Sequence, residues 1–156
     1  MLDANVLEFI ESFKVARLAT VDAENRPNVV PICFVCGEKG VIYSAIDSKP
    51  KKVIGRNLKR VNNISINSAV SVVFDKYSED WDQLGYVVIH GRAKLLLSGD
   101  ERQYAENLLR DKYPQYEKFL KKGAPIIRVI ANRHVSWGNI LAHQSKYESI
   151  DKRKNI

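Results

Sequence analysis

The stretch ARLATVDAENRPNVVPICFVCGEKGVIYSAI, residues 16–46, contains three apolar segments separated by two polar turns. In the first segment apolar and polar residues alternate, as in a half-buried β-strand, and the other two are rich in β-branched residues. The turns DAENRP and GEKG are too short for a crossover helix, so the strands are expected to be antiparallel neighbours. This stretch therefore predicts hairpin-linked strands and not an alternating β-α fold.

Three further segments have the composition of strands. They are AVSVVFD (69–75), GYVVIHGRAKLLL (85–97), which Gly91 could bend, and APIIRVIANRHVSWG (124–138). A short helix is predicted from Asp3, a good N-cap, and a second from Ser98, which matches a capping box with Glu101. Six strands with a few helices favour a mainly β fold, closed into a small antiparallel barrel because closure removes exposed sheet edges.

Length and composition indicate one soluble domain. The chain has 156 residues, of which 45% are hydrophobic, and we expect a single domain over residues 1–145 with a polar tail at 146–156. No apolar run approaches the roughly 20 residues of a membrane-spanning helix, and the N-terminus has acids where a signal peptide has cations. We therefore expect a cytoplasmic protein.

Cys33 and Cys36 form a C-x-x-C pair, a spacing typical of redox and zinc sites. Here the pair falls in a segment with strand composition, where residues three apart point to opposite faces. No second Cys/His pair is at hand to complete four zinc ligands. We therefore predict two packed thiols and no metal site.

A basic tract, SKPKKVIGRNLKRVNNI, spans residues 48–64, and no acid occurs between Asp47 and Asp75. Its cations are Lys49, Lys51, Lys52, Arg56, Lys59 and Arg60. The apolar residues of 53–61 fall near one helical stripe, which predicts an amphipathic helix with a basic flank. Together with the formal net charge of +7, the tract favours an acidic partner.

Three interpretations of the basic tract remain open on the residues alone. It could be a solvated helix face, although such faces usually mix charges of both signs. It could bind nucleic acid, but no aromatic residues are interleaved with it to stack on bases. It could also hold the phosphate of a discrete ligand, because lysines, arginine and the first N–H groups of a helix would meet where a strand has just ended.

Several of these segments resemble one known family. The tract KPKKVIGRNLKRVNNI, the segment DKYSEDW (75–81) and the closing SWG (136–138) are similar to those of pyridoxamine-phosphate-oxidase-like split-barrel flavoproteins, in particular the subgroup of coenzyme F-420-dependent oxidoreductases. The likeness covers roughly residues 13–138. It implies a six-stranded FMN-binding split barrel that dimerises, with a cofactor in each of two grooves between the subunits.

The resemblance also implies which residues bind the cofactor. Lys49, Lys51, Lys52 and Arg56, with Arg60 as an addition, correspond to residues that hold its phosphate. The residues Asn28, Val30, Pro31, Ile32, Tyr43 and Ser44 correspond to positions that line the ring and ribityl chain. Trp137 corresponds to a C-terminal aromatic near the cofactor.

The resemblance therefore predicts a two-electron oxidoreductase for a small organic substrate, with coenzyme F-420 as cofactor and FMN as the alternative. No catalytic side chain is predicted, because the cofactor carries the chemistry. A surplus of lysines over what one phosphate needs favours F-420, whose tail is more anionic. Outside this class, the alternatives are a cofactor-binding protein without activity and a basic nucleic-acid-binding module, although nucleic acid is the less favoured ligand.

Overall fold

The computed structural model describes residues 2–47 and 58–141. Within these residues seven strands form one antiparallel sheet. The strands are β1 (Val15–Val21), β2 (Pro27–Cys33), β3 (Val35–Cys36), β4 (Ile42–Ala45), β5 (Ala69–Lys76), β6 (Gly85–Leu96) and β7 (Ile126–Gly138). Their order across the sheet is β2-β1-β5-β6-β7-β4-β3. The prediction of a mainly β, antiparallel fold is confirmed.

Four α-helices accompany the sheet in the described part of the chain. They are α1 (Ala4–Glu11), α2 (Lys59–Ile66), α3 (Asp100–Lys112) and α4 (Tyr116–Phe119). The predicted first helix is confirmed, and the Asp3 side chain caps it by accepting a hydrogen bond from the Val6 N–H at 2.9 Å. Within the described residues, no helix combines the length and the apolar character that a membrane crossing needs.

The strand count of six is wrong for the described residues, because the segment predicted as one strand over 28–36 is two. The break falls at Phe34, whose neighbours pair in different directions: Cys33 with Val15 of β1, and Val35 with Tyr43 of β4. The Tyr113 hydroxyl replaces a strand partner at the break. It accepts the Phe34 N–H at 2.9 Å, and its one proton is directed at the carbonyl oxygen of Phe34 (2.6 Å) or of Lys14 (2.8 Å).

The Tyr113→Phe variant is expected to lower the free energy of unfolding by about 1–3 kcal/mol, because it leaves buried backbone groups of Phe34 without a partner. Burial raises the pKa of Tyr113 to about 12, so the loss should be the same across neutral pH. Urea unfolding followed by circular dichroism measures it. Tyr104→Phe, at a 39% exposed position of the helix that Tyr113 caps, is the control. Equal stabilities of the two variants would contradict this account of the break.

The break also explains how the sheet curls. Strands β2 and β3 lie at opposite edges of the sheet, yet they are joined in the chain through Phe34 alone. The two edges must therefore approach each other, and the sheet becomes a half-barrel around a core that includes Leu18, Val72 and Ile89. A second core lies where α3 and α4 cover β4 and β7, with Ala105 and Leu109 completely buried.

Two helix boundaries differ from the prediction. The helix α3 begins at Asp100 with Gly99 as N-cap, and the capping box of Ser98 with Glu101 does not form. The Glu101 carboxylate is engaged elsewhere, by the Tyr43 hydroxyl at 3.0 Å and by Arg128 at 2.6 Å. A helix running through Leu58 is also wrong, because that residue is extended (ψ 131°) and caps α2, which continues to Ile66.

The predicted bend at Gly91 is present as a β-bulge. The register between β6 and β7 shifts between His90 and Gly91, which face Arg133 and Ala131 respectively. A Cβ at Gly91 would lie 2.2 Å from the carbonyl oxygen of Ile130, so only glycine allows the strands to approach this closely. The predicted tail at 146–156 lies outside the described residues.

Candidate functional site

A pocket of about 290 Å³ lies in the gap between the two edges of the curled sheet. One wall is β2, which is hydrogen-bonded to β1 on one side only and so presents its other edge to the gap. The other wall is β4, and the beginning of α2 closes one end. The lining residues are Val30, Pro31, Ile32, Cys33, Ser44, Ala45, Asp47, Leu58 and Arg60. Five of the residues that the resemblance assigned to the cofactor therefore converge here: Val30, Pro31, Ile32, Ser44 and Arg60.

Two polar contacts fix α2 against β1 and thereby place Arg60 at the pocket. The buried Asn63 side chain donates to the Thr20 hydroxyl at 2.9 Å, and Lys59 Nζ lies 3.5 Å from the Asp22 carboxylate. Asp22 is itself held by the Arg26 backbone N–H at 2.9 Å, and such contacts lower the pKa of Asp22 to about 2. The Asp22 carboxylate is therefore ionised at neutral pH and can pair with the Lys59 ammonium at the start of α2.

Arg60 brings a positive charge with an unused hydrogen-bond donor to the pocket. Its Nε is buried and makes no hydrogen bond to any described residue. Burial lowers the pKa of the Arg60 guanidinium, and the Asp47 carboxylate acts in the opposite direction. A guanidinium remains protonated in proteins, so the burial cost falls on a charged group. An anion in the pocket would supply the missing acceptor.

Asn28 lies on β2 two residues before Val30, on the same face of the strand. It does not line the pocket. Its side-chain Oδ1 is nevertheless buried and has no hydrogen-bond donor among the described residues. Asn28 and Arg60 are thus two polar groups with unused hydrogen-bonding capacity, one an acceptor and one a donor.

Tyr43 and Ser44 are adjacent on β4, so their side chains point to opposite faces. Ser44 is 3% exposed and lines the pocket. Tyr43 instead packs in the second core, where its hydroxyl donates to Glu101 at 3.0 Å and its ring contacts Tyr104. Burial raises the pKa of Tyr43 to about 12. The structure therefore brings only one of the pair to the pocket.

Trp137 lies away from the pocket lining, near the end of β7. It is opposite Tyr86 of β6, and the two rings stack with centroids 5.8 Å apart. The Trp137 residue is 55% exposed and Tyr86 is 36% exposed. This pair forms an exposed aromatic patch on the sheet surface.

The predicted phosphate-binding residues Lys49, Lys51, Lys52 and Arg56 lie outside the described residues, and their roles stay predictions. The described residues on either side of this segment, Asp47 and Leu58, both line the pocket. The segment that carries these cations therefore leaves and re-enters the described fold at the pocket.

Four lining residues were not predicted: Cys33, Ala45, Asp47 and Leu58. Cys33 and Ala45 extend strands already assigned to the site, so strand continuity could have indicated them. For Leu58, the sequence showed only that it belongs to an apolar stripe, and not that it lines a pocket.

Cys36 lies on β3, in a different strand from Cys33, and burial raises the pKa of its thiol to about 12. A thiol with this pKa is a poor nucleophile at neutral pH.

The described residues contain no group of three or more His, Cys, Asp or Glu side chains that could hold a metal ion. What the pocket offers is apolar surface from Val30 and Ile32, a buried hydroxyl from Ser44, and the Arg60 charge. Such a mixture suits a ligand with an anionic group attached to a larger, less polar body.

Comparison with protein families gives a match over residues 2–142 to the family described as pyridoxamine 5'-phosphate oxidase. The matched region includes every described lining residue of the pocket. No curated protein sequence matches the chain.

Solved structures share the fold at low sequence identity. A conserved hypothetical protein from Mycobacterium tuberculosis has a TM-score of 0.71 at 18% identity, over 88% of this chain and 85% of that one. The heme storage protein HutZ from Vibrio cholerae has a TM-score of 0.66 at 17% identity, over 88% and 94% of the two chains. A FAD-binding protein from Mesorhizobium loti has a TM-score of 0.62 at 20% identity, over 86% and 92%. These likenesses establish the fold alone.

Proposed function

The chain belongs to the pyridoxamine 5'-phosphate oxidase family, and on this premise we propose that it is a flavin- or deazaflavin-dependent oxidoreductase. The observation that carries the proposal is the half-buried Arg60 side chain at the pocket, whose buried Nε lacks an acceptor among the described residues. A cofactor phosphate would accept from it and neutralise its charge. The residues present therefore fit an anionic cofactor.

The basic tract is proposed to complete the phosphate site. Lys49, Lys51, Lys52 and Arg56 belong to a segment whose flanking residues line the pocket, which supports their predicted contribution. Lysines act as point charges, whereas Arg60 can form directed bonds with phosphate oxygens. Together they suit a ligand with one or more phosphates.

The other lining residues are proposed to orient the cofactor. Ser44 provides a hydroxyl that can donate or accept, and the one-sided edge of β2 provides backbone groups. Val30 and Ile32 provide apolar surface that excludes water from the bound ligand. When bound, the cofactor would supply two-electron or hydride transfer to a small organic substrate.

The finer proposal is coenzyme F-420 as the cofactor, with FMN as the alternative. The density of cations in residues 48–60, without any acid, supports the more anionic ligand. The FAD-binding protein from Mesorhizobium loti and the HutZ protein show that this fold accommodates different ligands in different proteins. The choice must therefore be made by binding.

A second copy of the chain is proposed to complete the site. A pocket of about 290 Å³ lies just below the range of roughly 300–1,000 Å³ typical of small-molecule sites, so one protomer would hold only part of a flavin. The stacked Tyr86 and Trp137 rings form an exposed aromatic patch, the kind of surface that interfaces bury. We therefore expect a homodimer, with Trp137 close to the cofactor of one subunit.

Titration of the purified apo-protein with F-420, FMN and hemin tests the function, with light scattering on the same sample as the test of assembly. We expect saturable binding of F-420 or FMN, tighter than binding of hemin, and a mass twice the 17.8 kDa of the chain. Preference for hemin would overturn the oxidoreductase proposal. A monomer that binds flavin fully would overturn the dimer and leave the cofactor proposal intact.

A further inference from the structure

A second pocket, of about 380 Å³, lies between the start of β1 and the junction of α3 with α4. Its lining includes Lys14, Cys33, Lys112, Tyr113, Pro114 and Tyr116. The volume is within the range of small-molecule sites. Cys33 lines both pockets, so the second pocket adjoins the proposed cofactor site.

The apolar part of this pocket is aromatic. The Tyr113 and Tyr116 rings have centroids 5.3 Å apart and are tilted by 45°, and both residues are buried. Their hydroxyls are already engaged, Tyr113 with the backbone at Phe34 and Tyr116 with Asp47 at 3.3 Å. A ligand would therefore meet ring surface and not new hydroxyl donors.

The polar part of this pocket consists of two lysines, Lys14 and Lys112. Lys14 Nζ lies 5.6 Å and Lys112 Nζ 5.8 Å from the centre of the same Tyr113 ring. Lys14 donates to the backbone carbonyl oxygen of Lys112 at 3.1 Å, which holds the Lys14 ammonium beside the C-terminal end of α3. Burial lowers the pKa of Lys112, and the charge of Lys14 lowers it further.

No acid compensates these charges within the pocket. Glu11 and the two cysteines act on Lys112 only at a distance, and neither lysine forms an ion pair with a carboxylate of the described residues. The Lys112 Nζ instead lies 4.0 Å from the centre of the Phe34 ring, a cation–π contact that restrains its ammonium. Two ammonium groups over aromatic walls would be stabilised by an anion placed between them.

We propose that this pocket is a binding site for a small amphipathic anion, with a carboxylate or phosphate at Lys14 and Lys112 and a flat apolar body against Tyr113 and Tyr116. The anion requirement follows from two ammonium groups 5.6 and 5.8 Å from one ring centre, neither of them paired with an acid of the described residues. The apolar body follows from the ring surface and from the pocket volume. The proposal goes beyond the cofactor function and does not rest on it, because no residue of the cofactor chemistry is needed for binding.

Amide-resolved NMR of the full-length protein tests the site, with benzoate as the anionic probe and benzyl alcohol as its neutral counterpart. Benzoate is expected to shift the amides of Val15, Cys33, Lys112, Tyr113, Gln115 and Tyr116 in a saturable manner. Benzyl alcohol is expected to bind at least about tenfold more weakly, because it lacks the charge that the lysines recognise. Equal binding of the two probes, or benzoate shifts confined to other regions, would overturn the proposal.

Lysine variants give the second arm of the test. Lys112→Met keeps the methylene stem over Phe34 and should weaken benzoate binding about tenfold, and Lys14→Met, at an exposed position, about threefold or more. Lys118→Met is the matched control, because Lys118 lies beside Phe119 and does not line the pocket. If Lys14→Met and Lys112→Met both bind benzoate as tightly as Lys118→Met, the anion site is wrong. Dispersed spectra confirm that each variant is folded.

Discussion

The Glu106→Gln variant is expected to lower the free energy of unfolding by about 3–5 kcal/mol, because it removes the buried carboxylate that pairs with two arginines. Glu106 is 3% exposed, and its Oε2 lies 2.6 Å from Arg102. Its Oε1 accepts two bonds from Arg110, at 2.8 and 3.0 Å. Glutamine has nearly the same shape, so the loss measures the charge and its hydrogen bonds to the arginines and not packing.

The expected effect is large because the two arginines also bond backbone carbonyl groups that follow α3. Arg102 donates to the carbonyl oxygen of Ala124 at 3.0 Å, and Arg110 donates to those of Tyr116 and Leu120, both at 2.8 Å. The carboxylate therefore orients both guanidinium groups toward the chain after α3. Without it, the charges would stay buried but uncompensated, and the packing of α4 on α3 would loosen.

Glu117→Gln is the matched control for this prediction. The Glu117 side chain is 89% exposed and lies 3.8 Å from Arg110, so its removal should cost less than about 0.5 kcal/mol. Urea unfolding followed by circular dichroism compares the three proteins. If the unfolding free energy of Glu106→Gln lies within 1 kcal/mol of that of the control, the Glu106 charge does not stabilise the two arginines as proposed.

The pH dependence provides an independent check. Burial alone would raise the pKa of Glu106, but the bonds from Arg110 and Arg102 outweigh it and hold this pKa below its usual value of 4.5. The native state therefore binds this proton more weakly than the unfolded chain does, and the stabilisation present above pH 4.5 is lost as the pH falls. The unfolding free energy of Glu106→Gln should fall less steeply over that acid range.

Much of the fold could be predicted from local patterns, because strand alternation and short polar turns are visible within a few residues. The break at Phe34 could not, since the Tyr113 hydroxyl that satisfies its backbone comes from 79 residues further along the chain. The capping box failed for a related reason. The Glu101 side chain has partners in Tyr43 and Arg128, and these tertiary contacts outweigh a local cap.

The pocket residues could be predicted from the sequence where they are neighbours on one strand. Val30, Pro31 and Ile32 reach the pocket together because the free edge of β2 exposes both its faces there. On β4, Ser44 and Ala45 line the pocket, whereas Tyr43 does not, because its ring packs in the second core and its hydroxyl bonds Glu101. Which of these residues would face the gap depended on where α3 packs, and that is not encoded in the strand itself.

Replacing Arg60 with methionine is expected to weaken cofactor binding by about 2–4 kcal/mol, about 30- to 1,000-fold, because a half-buried guanidinium that bonds a phosphate is lost. Methionine keeps an apolar stem of similar length at the start of α2. The change is measured by titrating the variant and the wild-type protein with F-420 and with FMN under the same salt conditions. Arg92→Met is the control, because Arg92 is exposed and bonds Ser68, away from the pocket.

The stability of the apo-protein should respond in the opposite direction. In the absence of cofactor, Arg60 carries a desolvated charge and an Nε without a bond to the described residues, so its removal should leave the free energy of unfolding unchanged or raise it. A structural arginine would behave differently, because its loss would cost stability with or without ligand. If Arg60→Met destabilises the apo-protein and binds cofactor normally, the residue supports the fold and the phosphate site must be sought elsewhere. If Arg60→Met binds the cofactor more weakly and its apo-form is as stable as the wild-type protein or more so, Arg60 serves ligand binding and not the fold.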